Sequence, residues 1–290
     1  MASNMVKRHM ETLAAGACEL TTAQIAEALE ATQNVIHTLE RVVLSRRLCR
    51  VAGDGDAAAV RATLGLGVAV DSRDMHGATP LMAAAAAGRL ECVTLLLGSN
   101  ADPGARHSNH RGQTPLMLAA AGRHCDVAAA LLDGNAPVDT ASRAGVTALY
   151  VAAGVGDVEM LDLLLSAGAD ASPARGHLPL SAAVRLGHTA AVRRLLAQSA
   201  DPAAVQHRQE TPPLGVAAFR GHASVVRLLL EAGAPVDART LALGASGGAA
   251  VVRALLSTGI DVNVREHVSG LTAAAYAARA GKLGSVRALV

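Results

Sequence analysis

Aromatic residues are almost missing from this chain of 290 residues, which has no Trp, one Phe (Phe219) and two Tyr (Tyr150 and Tyr276). An all-β fold is therefore excluded, because sandwich and barrel cores are built on aromatic and β-branched side chains. An excess of one charge is missing too. The 26 Lys and Arg against 24 Asp and Glu leave a formal net charge of +2, too small for bulk attraction to nucleic acid or a membrane surface. Mean hydropathy is positive, at +0.31, yet long apolar runs are lacking. The best candidate stretches, residues 144–156 and 240–252, hold 13 uncharged residues each and contain several Gly. A spanning helix needs about 20. Residues 1–20 carry Lys7 and Arg8 but no following apolar segment, so no secretory signal is read there.

Paired cysteines are absent as well. Cys18, Cys49, Cys92 and Cys125 lie 31, 43 and 33 residues apart, a spacing that fits neither a zinc site nor a disulfide framework and suits reduced thiols in an intracellular, cytoplasmic or nuclear protein. No G-x-x-x-x-G-K-[ST] loop, G-x-S-x-G elbow or H-x-x-x-H pair with a helical carboxylate occurs. Gly53-Asp54-Gly55 and Gly65-Leu66-Gly67 do not complete a phosphate loop. The expectation is a protein that is not an enzyme, has no cofactor or metal, and takes no small-molecule substrate.

What the sequence does contain is alanine and a repeat. Alanine occurs 64 times, favouring closely packed helices. Thr79-Pro80-Leu81 returns 35 residues later as Thr114-Pro115-Leu116 and 33 after that as Thr147-Ala148-Leu149. After each comes an alanine pair (Ala83-Ala84, Ala119-Ala120, Ala152-Ala153), then Gly88-Arg89, Arg123-His124 or Gly156-Asp157. An apolar segment ending in Leu96-Leu97, Leu131-Leu132 or Leu164-Leu165 closes the unit. The frame continues through Gly187-His188, Gly221-His222 and Gly259. Thr caps a first helix, Pro opens it without losing a hydrogen bond, and Gly168, Gly233, Asn100 and Asn135 supply left-handed stops for a second helix. A unit of this size cannot cover its own apolar stripe, so neighbours must stack. His124, His188 and His222 fall at the turn between helices and read as structural.

The run Asp74-Met75-His76-Gly77-Ala78-Thr79-Pro80-Leu81, with Gly221-His222-Ala223-Ser224-Val225-Val226-Arg227-Leu228-Leu229-Leu230-Glu231-Ala232-Gly233-Ala234, resembles the ankyrin repeat. The resemblance covers residues 45–290. It implies an all-α ankyrin-repeat solenoid of about seven helix-loop-helix units with short β-hairpin fingers, and a role in binding other proteins on its concave finger and inner-helix face. Departures are also plain. The family's His after T-P-L is replaced by Met82, Met117, Tyr150, Ser181, Gly215, Leu241 and Ala275, so a capping hydrogen bond of the family should be missing. Thr211-Pro212-Pro213-Leu214 holds an extra Pro, and the unit entered at Asp237–Thr240 should lack a finger. Residues 46–73 read as an N-terminal capping unit. The last unit, from Thr272, stops on its apolar stripe at Leu289-Val290, as a truncated gene product or fragment would. Residues 1–44 form a separate N-terminal helical segment. In it Thr21-Thr22-Ala23-Gln24 resembles a capping box, and Ile25, Leu29, Ile36, Leu39 and Val43 line one face of a helix of about 20 residues. That face is expected to pack on the first unit, a coiled-coil or partner helix being the alternative.

The family's binding positions here read His76, His110, Arg111, Gln113, Arg143, Arg175, His177, Arg185, His207, Arg208, Gln209, Arg220, His267 and Arg279, with Glu210 and Glu266 the nearby acids. The stripe is basic in a nearly neutral chain and points to an acidic protein partner. A solvated face made Arg-rich by a GC-rich coding sequence explains it equally well. Without Trp, and with two Tyr, stacking platforms for single strands are missing, which disfavours nucleic acid. Two functions stay open: a non-catalytic scaffold or adaptor, or the recognition fragment of a larger ubiquitin-ligase receptor, kinase or channel.

Overall fold

The computed structural model describes residues 22–108, 111–173, 176–205 and 211–290, with side chains from Ala26 onward. Cys18 and Thr21 fall outside the described residues, as do the side chains of Thr22, Ala23, Gln24 and Ile25. Sixteen helices follow one another among the described residues. They are α1 (Thr22–Asp54), α2 (Ala57–Leu64), α3 (Pro80–Ala86), α4 (Leu90–Gly98), α5 (Pro115–Gly122), α6 (Cys125–Asp133), α7 (Ala148–Val155) and α8 (Val158–Ser166). After them come α9 (Pro179–Leu186), α10 (Thr189–Ala197), α11 (Pro213–Arg220), α12 (Ala223–Glu231), α13 (Ala238–Gly247), α14 (Ala249–Leu256), α15 (Ala273–Arg279) and α16 (Leu283–Leu289). First helices α3, α5, α7, α9, α11, α13 and α15 stack on one another, and second helices α2, α4, α6, α8, α10, α12, α14 and α16 form a parallel layer beside them. Seven pairs thus follow a capping pair made by the end of α1 and α2.

Local chemistry sets each start and stop. Thr79, Thr114, Thr147 and Thr272 accept hydrogen bonds from the backbone N–H of Met82 (3.3 Å), Met117 (3.4 Å), Tyr150 (3.2 Å) and Ala275 (3.5 Å), and Pro80, Pro115, Pro179 and Pro213 open their helices. The bond expected to be lost with the family's His is partly replaced, since the Thr79 N–H donates to Met82 Sδ at 3.5 Å. The second helices end in left-handed residues, among them Gly168 (φ 87°), Asn100 (φ 63°) and Asn135 (φ 64°). Small residues let the layers close: Ala119-Ala120, Ala152-Ala153 and Ala182-Ala183 are fully buried. In α3 the buried pair is Ala84-Ala85, one residue later than the sequence frame suggests, and Leu241 aligns with the core leucines rather than with the family's His.

One inter-repeat contact explains where glycine is needed. A Cβ on Gly88, Gly156 or Gly187 would sit 2.5–2.7 Å from the ring of His124, His188 or His222 in the next unit, and each glycine also has φ between 68° and 75°. His188 Nε2 reaches the Gly154 carbonyl at 3.0 Å. These histidines tie successive first helices together. Where the next unit carries Asp157 instead of His, the glycine is replaced by Arg123, which holds φ 61° and pairs with Asp157 at 3.2 Å.

The fingers are tight turns rather than extended hairpins. Asp74 accepts from the N–H groups of His76 (2.8 Å) and Ala78 (2.9 Å) around Gly77, and the bridge between Arg265 and Thr272 is the sole β pairing among the described residues. Backbone bonds link one finger to the next: Ser108 N–H to the Gly77 carbonyl (3.1 Å), Arg143 to Arg111 (3.0 Å) and His177 to Gly145 (3.0 Å). Arg73 adds a side-chain staple to the Arg106 carbonyl at 2.8 Å, and Arg106 does the same to Ala141. No finger separates α12 from α13, where Asp237 caps α13 directly through the Thr240 N–H at 2.7 Å.

The N-terminal helix departs from expectation. It is 33 residues long and runs straight into the capping pair, because residues 22–52 contain neither Gly nor Pro to stop it. Its apolar stripe does not pack on the repeats. Leu29, Ile36, Leu39 and Val43 are 60, 51, 46 and 62% exposed, and burial begins only at Leu48, where the helix meets α3.

Candidate functional site

First helices α3 to α15 contain no Asp or Glu, whereas second helices carry Glu91, Asp126, Asp133, Glu159, Asp162 and Glu231. Arg194, on α10, is paired with Asp162 at 2.6 Å. On the first-helix side, Arg185, Arg220 and Arg279 stand exposed near the ends of α9, α11 and α15, and His76, Arg111 and Arg143 are exposed in fingers. Gln113 and His177 are half-buried at finger bases. His110, Arg175, His207, Arg208, Gln209 and Glu210 lie outside the described residues.

Two of the sequence candidates meet in a cleft of about 400 Å³ across α7, α9 and α11, lined by Tyr150, His177, Leu178, Ser181, Val184, Arg185, Thr211, Pro213 and Val216. Arg185 donates from Nη2 to the Tyr150 hydroxyl at 2.7 Å. The Tyr150 and His177 rings lie 5.1 Å apart at 40°, a tilted arrangement of the kind aromatic pairs prefer. The register explains the opening. Residues equivalent to Arg185 in earlier units are Ala86, Ala121 and Gly154, and in the next unit Phe219, which is 58% exposed. Arg143, Arg220 and Arg279 do not line this cleft. Tyr150 and Ser181 are both departures from the family's His, and that departure was the available signal for them. Thr211 carried no signal.

The three thiols among the described residues, Cys49, Cys92 and Cys125, are not poised for chemistry. Burial pushes Cys49 up to about 12, with the nearby Asp74 charge acting the same way, and burial raises Cys92 and Cys125 as well. A thiol held protonated is a poor nucleophile. Among the described residues, no three His, Cys, Asp or Glu side chains gather as a metal site would need, and no helix is long and apolar enough to cross a membrane.

A second, smaller cleft lies against the last finger, where Glu266 accepts from the N–H groups of Ser269 (2.7 Å) and Val268 (3.0 Å) and from the Tyr276 hydroxyl (3.4 Å). These bonds hold its carboxyl down at about 2, against an ordinary 4.5. A lowered native value means the contribution is complete above pH 4.5 and is lost as pH falls through about 2. Protection of the Val268 and Ser269 amides, taken relative to their intrinsic exchange at each pH, should therefore fall across that window in wild type. Glu266→Gln should show low protection at every pH; wild-type protection that stays constant down to pH 2 would show that these bonds do not hold the finger.

Comparison with known proteins agrees with this architecture. The family model for ankyrin repeats (3 copies) matches residues 101–175 and 149–240, and that for a single ankyrin repeat matches residues 76–108. Together they take in more than half of the chain, which belongs to the ankyrin repeat family. The human ASB11 ankyrin repeat domain is similar in structure, with TM-score 0.66 and 29% identity over 73% of this chain and 96% of that domain. Tyrosine-protein kinase HTK16 from Hydra vulgaris is 34% identical over 107 residues, 36% of this chain and 14% of the kinase.

Proposed function

We propose that this protein is a non-catalytic interaction module that binds an acidic protein segment along its first-helix and finger face. The observation that carries the reading is the charge division between layers: no carboxylate on α3 to α15 first helices, six on the second helices, and exposed arginines at Arg143, Arg185 and Arg220 that have no acidic partner among the described residues. Complementary charge steers association and sets its salt dependence. The HTK16 match also supports a second reading, in which such an array serves as the recognition segment of a larger chain; the complete transcript would decide it.

Reversing Arg143, Arg185 and Arg220 together to Glu is expected to weaken binding of a polyglutamate peptide by about tenfold or more at low salt and to flatten its salt dependence. Reversing Arg193, Arg227 and Arg253, exposed on α10, α12 and α14, supplies the control. Equal loss from both triple variants would assign the effect to bulk charge and end the claim for this face.

A further inference from the structure

The cleft across α7, α9 and α11 is chemically more specific than a basic stripe. Its polar lining residues can all donate hydrogen bonds: Arg185, Tyr150, Ser181, Thr211 and His177. No carboxylate lines it among the described residues. Arg185 is fixed by its bond to Tyr150, which leaves the guanidinium's remaining N–H groups and the Tyr150 proton to donate elsewhere. The rest of the lining, Leu178, Val184, Pro213 and Val216, is apolar. The space, about 400 Å³, falls within the range of pockets that take a whole side chain or small ligand.

A carboxylate offers two oxygens in one plane and leaves several of these donors unused. A phosphate ester offers three terminal oxygens in a tetrahedral spread with up to two negative charges, and Arg is the side chain that meets it in a fork. Phosphorylation places that group on a stem whose carbon atoms suit the apolar part of the lining, Leu178, Val184, Pro213 and Val216. We infer that this cleft holds a phosphorylated side chain of the partner segment. This inference rests on the first-helix face being the binding side, and it adds the chemistry of the residue that anchors there.

The test uses the full 290-residue chain against arrays of degenerate peptides fixed at the centre as phosphoserine, phosphotyrosine, glutamate or serine. Wild type, Arg185→Ala and Arg193→Ala are compared, each with its melting curve as a check of folding. A phosphorylated pool should be held at least about tenfold more tightly than the glutamate and serine pools. That preference should vanish in Arg185→Ala and persist in Arg193→Ala. In a Tyr276→Phe background Tyr150 is the only tyrosine in a chain without Trp, so its emission reports the cleft directly and should change on adding the retained pool. Glutamate pools held as well as phosphorylated ones, no pool retained, or a preference that survives Arg185→Ala would overturn the assignment. Polyglutamate binding that still depends on Arg143, Arg185 and Arg220 would leave the binding face standing while the phosphate assignment falls. Phosphate preference without that dependence would do the reverse.

Discussion

Leu164→Ala is expected to lower the stability of the array by about 2–5 kcal/mol, through lost transfer energy and the cavity left behind. Leu164 is fully buried on α8, together with Met160 and Leu161, where the second-helix layer continues to α6 on one side and α10 on the other. The size of the effect follows from what surrounds it. Cores relax around a cavity when large neighbours can change rotamer, but the facing first helices bury Ala152, Ala153, Ala182 and Ala183, which have no rotamers to change. The upper part of the range is therefore expected. Leu165, half-buried on the same helix, should cost clearly less when cut to Ala. Urea unfolding followed by circular dichroism measures both, and a loss under about 0.5 kcal/mol at Leu164 would refute the helix register.

That register was readable in advance because each unit repeats the same capping and stopping chemistry, so an error at one unit is corrected by the next. Thr at the cap, Pro after it, paired alanines and a left-handed stop recur often enough to fix about seven units. What depends on a single place in the chain was harder to read. The long α1 illustrates this: its apolar stripe looked like a packing face, whereas only the geometry shows that it projects past the first pair and that burial starts at Leu48. The fingers were expected as short β-hairpins, and they are as short as such turns can be: the Asp74 N–H reaches the Ala78 carbonyl at 2.9 Å while the Asp74 side chain holds the turn between them. The site was half legible. His177 and Arg185 stood in the basic stripe, while Tyr150 and Ser181 were visible only as departures from a family pattern. A cleft shared by three units is set by how far apart neighbouring helices stand, and spacing in one unit does not reveal that.

The same dependence on helix spacing makes Gly247 the most sensitive glycine at the one junction without a finger. A Cβ built on Gly247 would lie 1.8 Å from the Ala218 carbonyl oxygen, 3.0 Å from its carbon and 3.2 Å from the Gly221 nitrogen. All three are backbone atoms, so no side chain can step aside. Gly244, one turn earlier, is the next tightest at this junction: a Cβ there would lie 2.5 Å from Leu255 Cδ1 and 3.1 Å from Val251 Cγ1, both side-chain atoms. With only residues 232–237 between α12 and α13, α13 is drawn directly against α11, and the run Gly244-Ala245-Ser246-Gly247-Gly248 supplies the missing volume. Gly247→Ala should cost about 1–3 kcal/mol or more, the range for forcing atoms into a filled space. The damage should be local: in a stacked array each pair is stabilised by its neighbours, so residues 238–290 should lose protection first. Gly98→Ala is the control, since it lies in α4 at ordinary φ with nothing within 4 Å of its Cβ, and should be neutral or stabilise by up to about 1 kcal/mol. Hydrogen exchange on both variants reads the outcome. Wild-type protection throughout residues 238–290 in Gly247→Ala would mean that α11 and α13 do not approach this closely.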